Sequence, residues 1–230
     1  MKHISAAAIC AATAVSAAQA GLGQSQTITQ VSSFDFDAVQ SNTPSALTFS
    51  AFDTMGGTRT LTAVSFHLEA NYTLGLLAEN GEDYAIGADD WFVEAGLFNN
   101  IEIGDGTLFS GVGSVGYGPL SAELAASDGV SQSGADSVSW RFEGFIEGSR
   151  DALPFQIDAF IGNGQLDAEI YPFLSLLIPP PEPYFDLWVT DNASSGLVTL
   201  TYSYEIVPAP AGTAVLSIGA ALATRRRRIS

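Results

Sequence analysis

Three stretches of the chain, residues 60–68, 137–143 and 197–204, alternate apolar and polar side chains with a period of two. Successive side chains of a strand point to opposite faces, so each stretch can bury one face and wet the other, and none can form an amphipathic helix. Between such stretches lie clusters of Gly, Asn, Asp and Ser, which punctuate strands with turns. Residues 119–127 could make one or two helical turns, and nothing longer runs free of glycine. The expectation is an all-β fold, an antiparallel β-sandwich of the jelly-roll or immunoglobulin-like kind. With the terminal segments set aside, residues 21–206 are the size of one such domain. Pro179-Pro180-Pro181-Glu182-Pro183 reads as a polyproline II connector that leaves the sheet, since proline donates no ladder hydrogen bond.

Charge narrows the function. All 25 acidic residues lie between Asp35 and Glu205, while Lys2 and Arg225 to Arg228 sit near the ends, leaving Arg59, Arg141 and Arg150 as the body's only cations besides its histidine. Such a surface repels phosphates and lacks the cations that displace counterions, which argues against nucleic-acid binding. The single cysteine, Cys10, lies in the N-terminal segment, so the body is expected to hold its fold without disulfides. A chain 47% hydrophobic with 14 phenylalanines has the apolar surface to do so.

Both ends read as addresses. Met1-Lys2-His3 supplies a short basic start, residues 4–15 an apolar stretch, and Ala18-Gln19-Ala20 the small-x-small pattern that signal peptidase cleaves, predicting a signal peptide over 1–20 and a mature N-terminus at Gly21. At the other end Val207-Pro208-Ala209-Pro210 precedes an apolar run over 211–224 and then Arg225, Arg226, Arg227 and Arg228. The run is shorter than the roughly 20 residues a bilayer core requires. That suits a processing signal better than a permanent anchor, and the arginines suit retention at an anionic cytoplasmic leaflet. This three-part layout over 207–230 resembles the PEP-CTERM sorting signals read by membrane-embedded exosortases, with Ala209 standing where the eponymous glutamate would be.

The body resembles the choice-of-anchor E domain. The likeness is carried by Phe52-Asp53, the turn glycine Gly56 and the strand Leu61-Thr62-Ala63-Val64 within 49–64, by Phe160-Ile161-Gly162-Asn163-Gly164, and by the closing stretch 196–205 that runs into the proline motif. The resemblance implies a secreted β-domain delivered to alternative anchors, without a stated activity.

Catalytic motifs are weak. Gly111-Val112-Gly113-Ser114-Val115-Gly116 satisfies a dinucleotide fingerprint literally but lacks the strand–helix setting that gives it meaning, and reads as a glycine-rich strand edge or loop. His67 is the only histidine after residue 3 and lies in an alternating strand. A Ser-His-Asp hydrolase would have to use it, without a Gly-x-Ser-x-Gly elbow. Paired carboxylates beside Trp91, drawn from Glu82, Asp83, Asp89 and Asp90, would fit a glycosidase, and a solvated acidic hairpin fits the same residues more simply. Calcium is the better use for Glu79, Glu82, Asp83, Asp89 and Asp90, whose oxygens lie near turns where carbonyls can join them, though not with EF-hand spacing. Diffuse counterion binding accounts for the same acids without a defined site, and no other cofactor is implied.

The expected protein is non-catalytic: an exported, exosortase-sorted bacterial surface or extracellular-matrix protein with a structural or adhesive β-domain. Its expected partners are signal peptidase, an exosortase, the membrane before processing, and extracellular polysaccharide. The alternatives are a carbohydrate-binding module using exposed Trp91, Trp140 or Trp188, and a carboxylate glycosidase.

Overall fold

A computed structural model describes residues 14–15, 25–37, 44–104, 106–178 and 185–207. Its strands are β1 (Ala14–Val15), β2 (Ser25–Asp37), β3 (Ser45–Ser50), β4 (Arg59–Asn80), β5 (Val93–Ile103), β6 (Thr107–Leu120), β7 (Ser137–Asp151), β8 (Gln165–Leu177) and β9 (Phe185–Ile206). The front sheet has the order β1-β2-β9-β4-β7 and the back sheet β3-β8-β5-β6. β1 is a two-residue pairing of Ala14 with Thr29 and Val15 with Ile28. It lies inside the expected signal peptide, and without it each sheet has four strands.

Counted from β2, the first strand pairs with the eighth, the second with the seventh, the third with the sixth and the fourth with the fifth, all antiparallel. A long hairpin rolled up on itself gives this pairing, which is the jelly-roll order. Between the two expected kinds of sandwich, the strand order selects the jelly roll. The three alternating stretches lie in β4, β7 and β9, and β4 pairs with the other two.

The alternation of β4 shows why the sheets stack. Val64, Phe66, Leu68, Ala70, Tyr72, Leu74, Leu76 and Ala78 are all buried on one face. Phe66 lies at the centre of an aromatic cluster, 5.1 Å from the Phe109 ring and 5.9 Å from that of Phe160. A smaller apolar cluster of Ala78, Ile86, Trp91, Val93 and Leu124 fills one end beneath the loops.

Residues 119–127 are not helical. Ile86 and Leu124 exchange both backbone hydrogen bonds, which holds Leu124 extended and buried in that smaller cluster. The helical turn is a 3₁₀ segment at Pro154–Phe160, where the first residue needs no N–H partner and Phe160 buries its ring in the main core. The glycine fingerprint lies within β6. A Cβ on Gly113 would stand 2.7 Å from both Leu68 and Ile146, so glycine lets β6 close on the front sheet. The polyproline stretch lies outside the described residues, apart from the end of β8 and start of β9 that flank it.

Candidate functional site

On the outer face of the back sheet, cross-strand pairs of β5 and β8 place Phe98 opposite Phe173, Asn100 opposite Tyr171 and Glu102 opposite Glu169. These are alternate residues, so all point away from the core. Phe173 is 55% exposed, and its ring lies 6.3 Å from that of Phe98. Phe98 in turn leans over Gly96, where a Cβ would meet its ring at 2.8 Å. Along the same row the Tyr171 hydroxyl donates to Glu169 Oε2 at 2.6 Å. That bond, then desolvation and the charge of Glu102, push the tyrosine pKa up to about 12. Asn100 Oδ1 accepts the Gly111 N–H at 2.8 Å, which ties the row to β6. The result is an aromatic pair, Phe173 exposed and Phe98 half-buried, grading into two carboxylates and a phenol, a surface that can stack on an apolar ring face and hydrogen-bond to hydroxyls at its edge.

The outer face of the front sheet is built differently. His67 Nδ1 lies 2.9 Å from Ser149 Oγ, and its Nε2 is 3.7 Å from Glu147 and 3.9 Å from Glu69. The structure therefore does bring a serine, the histidine and acids together. The acid distances exceed a hydrogen bond, and the groups sit on paired strands β4 and β7 rather than on a strained turn whose N–H groups face a substrate oxygen. Farther along β7, opposite Gly75, Arg141 donates to Glu143 at 2.9 Å and to Asp191 at 2.6 Å, and both bonds raise its pKa, Glu143 the more.

The acids expected to hold calcium are dispersed in their roles. Glu79 is buried and its Oε2 accepts the Gln132 N–H at 2.9 Å. Asp90 Oδ2 accepts the Gly87 N–H at 2.9 Å, closing its own turn. Asp83 and Asp89 are exposed and Glu82 is half-buried, its carbonyl accepting from Ser127. Among the described residues no three acidic, histidine or cysteine side chains form a group able to hold a metal.

Trp91 is not an exposed platform. It is 5% exposed, its indole N–H donates to Ala122 O at 2.9 Å, and its ring packs 4.9 Å from Phe185 and 5.9 Å from Trp140. An indole whose one donor finds a carbonyl packs well in a core, so the flanking aspartates mislead. Trp140 and Trp188 are half-buried. Exposed aromatics occur instead at Tyr84, Phe145, Phe155 and Phe173, and the sequence reading missed Phe173 with its half-buried neighbour Phe98, whose signal was two phenylalanines at outward positions of paired strands.

Of the sorting residues, Val207 is described: it is exposed, and its N–H donates to Thr58 O at 2.9 Å. Pro208, Pro210, Arg225, Arg226, Arg227 and Arg228 lie outside the described residues, as do Ala18, Ala20 and Gly21. Among the described residues no helix is long and apolar enough to cross a membrane.

The described residues define an acidic all-β jelly roll. No protein-family model matches the chain, and no curated protein does. It is similar to two solved structures from infectious bursal disease virus. One is of the Gx strain, at 13% identity over 80% of this chain and 38% of that one, with a TM-score of 0.16. The other is of virus-derived T=1 particles, at 14% identity over 91% of this chain and 45% of that one, with a TM-score of 0.19. The chain thus spans under half the length of either.

Proposed function

We propose that this chain is an exported, exosortase-sorted surface or extracellular-matrix protein whose jelly roll has a structural or adhesive role without catalysis. The observation that carries the reading is where the last described strand meets the expected sorting signal. β9 runs to Ile206, and Val207, the first residue of the expected sorting signal, makes the strand's closing hydrogen bond to Thr58. In the sequence the rest of the proline motif, the apolar run and the arginine cluster follow directly on the end of β9. Fractionating cells that express the full chain, and cells expressing it without residues 207–230, tests this. Retention in the envelope or matrix is expected of the full chain, and release to the medium or periplasm of the shortened one. The same distribution for both would overturn the sorting role.

A second reading, that the domain adheres by binding polysaccharide, is favoured by the Phe98–Phe173 pair beside Tyr171, Glu102 and Glu169. Aromatic faces stack on the apolar faces of sugar rings, and carboxylates accept from sugar hydroxyls. Retention on polysaccharide beads, lost in Phe173→Ala, is the expected result; equal retention of both proteins would remove this reading.

A further inference from the structure

The loop between β6 and β7 holds an unanswered charge. Asp136 is 1% exposed; its Oδ2 accepts the Asp128 N–H at 3.0 Å, while its Oδ1 has no partner. Burying a carboxylate oxygen without a donor is costly, because the hydration it loses is not replaced. The space beside it is specific. A Cβ on Gly134 would stand 2.9 Å from Asp136 Oδ1 and 2.8 Å from Asp128 Oδ2, so both oxygens border the volume that a side chain at 134 would fill. Gly134 has a φ of +101°, which strains any other residue there. Asp128 is exposed, which opens a way in from solvent, and its Oδ1 is already taken by the Val130 N–H at 2.7 Å. The loop itself is fastened from outside. Asn80 N–H donates to Asp136 O, Ser127 N–H to Glu82 O, and Gln132 N–H to the buried Glu79.

We propose that Asp136 Oδ1 and Asp128 Oδ2 bind one calcium ion in this loop, with backbone carbonyls and water completing the shell. A cation answers both facts at once: it satisfies the orphaned oxygen and removes the repulsion between two carboxylates facing one space. Calcium fits better than magnesium, because an irregular loop of oxygen donors suits its six to eight flexible ligands, whereas magnesium demands a near-ideal octahedron. The site uses none of the exposed acids of the 82–90 stretch, and it does not depend on how the protein is sorted.

Titration calorimetry and thermal melts of the full chain with calcium chloride, against magnesium chloride at equal ionic strength, test it. Binding of one equivalent of calcium is expected, with a saturable rise in Tm of about 5–10 °C at about a hundredfold excess over Kd. Magnesium should give only the general salt response. Asp136→Asn and Asp128→Asn should each lose the calcium-specific rise, while Asp83→Asn and Asp89→Asn keep it. Coincident calcium and magnesium curves would overturn the proposal. So would a saturable calcium response that persists in the Asp136→Asn or Asp128→Asn protein, or one abolished by Asp83→Asn. If Asp136→Asn does not fold by near-ultraviolet circular dichroism, Asp128→Asn, altered at an exposed side chain, decides alone.

Discussion

The front sheet carries Arg59, Arg141, Arg150 and His67 on β4 and β7, whereas the strands of the back sheet carry no lysine, arginine or histidine and present Glu94, Glu102, Asp167 and Glu169. On the front sheet some of the charge is paired: Arg141 bridges Glu143 and Asp191, and Arg59 lies 5.1 Å from the centre of the Tyr204 ring. On the back face Glu102 and Glu169 stand directly opposite each other, with Tyr171 as their shared hydrogen-bonding neighbour. Like charges opposite one another across a sheet oppose folding. Both faces sit on the same aromatic core, so the contrast isolates what the surfaces do. The front pairs part of its charge within itself and exposes Phe145, whereas the back sets acids with no basic side chain on its strands beside the exposed Phe173.

The largest effect should come from the shared core. Phe66→Ala removes the ring that touches Phe49, Phe109 and Phe160 and should cost about 3–5 kcal/mol, measured by denaturant unfolding. A cost near that of a surface change would show that the sheets are not held together there. Salt comes next. With 25 acids against three body arginines, added sodium chloride should raise the melting temperature by screening repulsion over a Debye length of about 8 Å at physiological ionic strength. A flat salt response would remove the unbalanced-charge account.

Smaller effects sharpen the contrast between the faces. Arg141→Gln should leave denaturant unfolding nearly unchanged, because its pairs are exposed and screened. Phe173→Ala should shift stability by about 0.5 kcal/mol or less, as befits an exposed site. A large loss from Phe173→Ala would place that ring in the packing rather than on a binding surface. Tyr171 adds a pH signature. Its folded pKa, about 12, lies above the unfolded value of about 10. The stability it contributes is therefore complete below about pH 10. It is lost as pH rises through about 12. Phenolate absorbance followed during alkaline titration should lose one late-ionising step in Tyr171→Phe; an unchanged titration would mean that the hydrogen bond to Glu169 is not formed.

The sequence disclosed these two sheets unequally. β4, β7 and β9 declared themselves by alternation because each packs on one face and meets solvent on the other. In the back sheet β6 is broken by glycines that serve close approach, and β8 ends in Ser175, Leu176 and Leu177, all exposed, so period two fades where apolar residues face outward. Trp91 shows a different limit. Asp89 and Asp90 before it suggest a wet loop, yet burial is decided by Ala122 and Phe185, distant in sequence. Asp136 was silent for the same reason: its buried setting includes backbone N–H donors from Asn80 and Asp128, which no pattern of adjacent residues announces. The glycine at 134 is the one local sign, and it gains meaning only beside the two oxygens it admits.

The central claim, that a self-sufficient jelly roll lies between two removable addresses, is tested most directly by the intact mass of the exported protein. The mass should correspond to a chain that begins at Gly21 and has lost the arginine cluster from Arg225 to Arg228. A product that still carries both Met1 and that cluster would contradict the account.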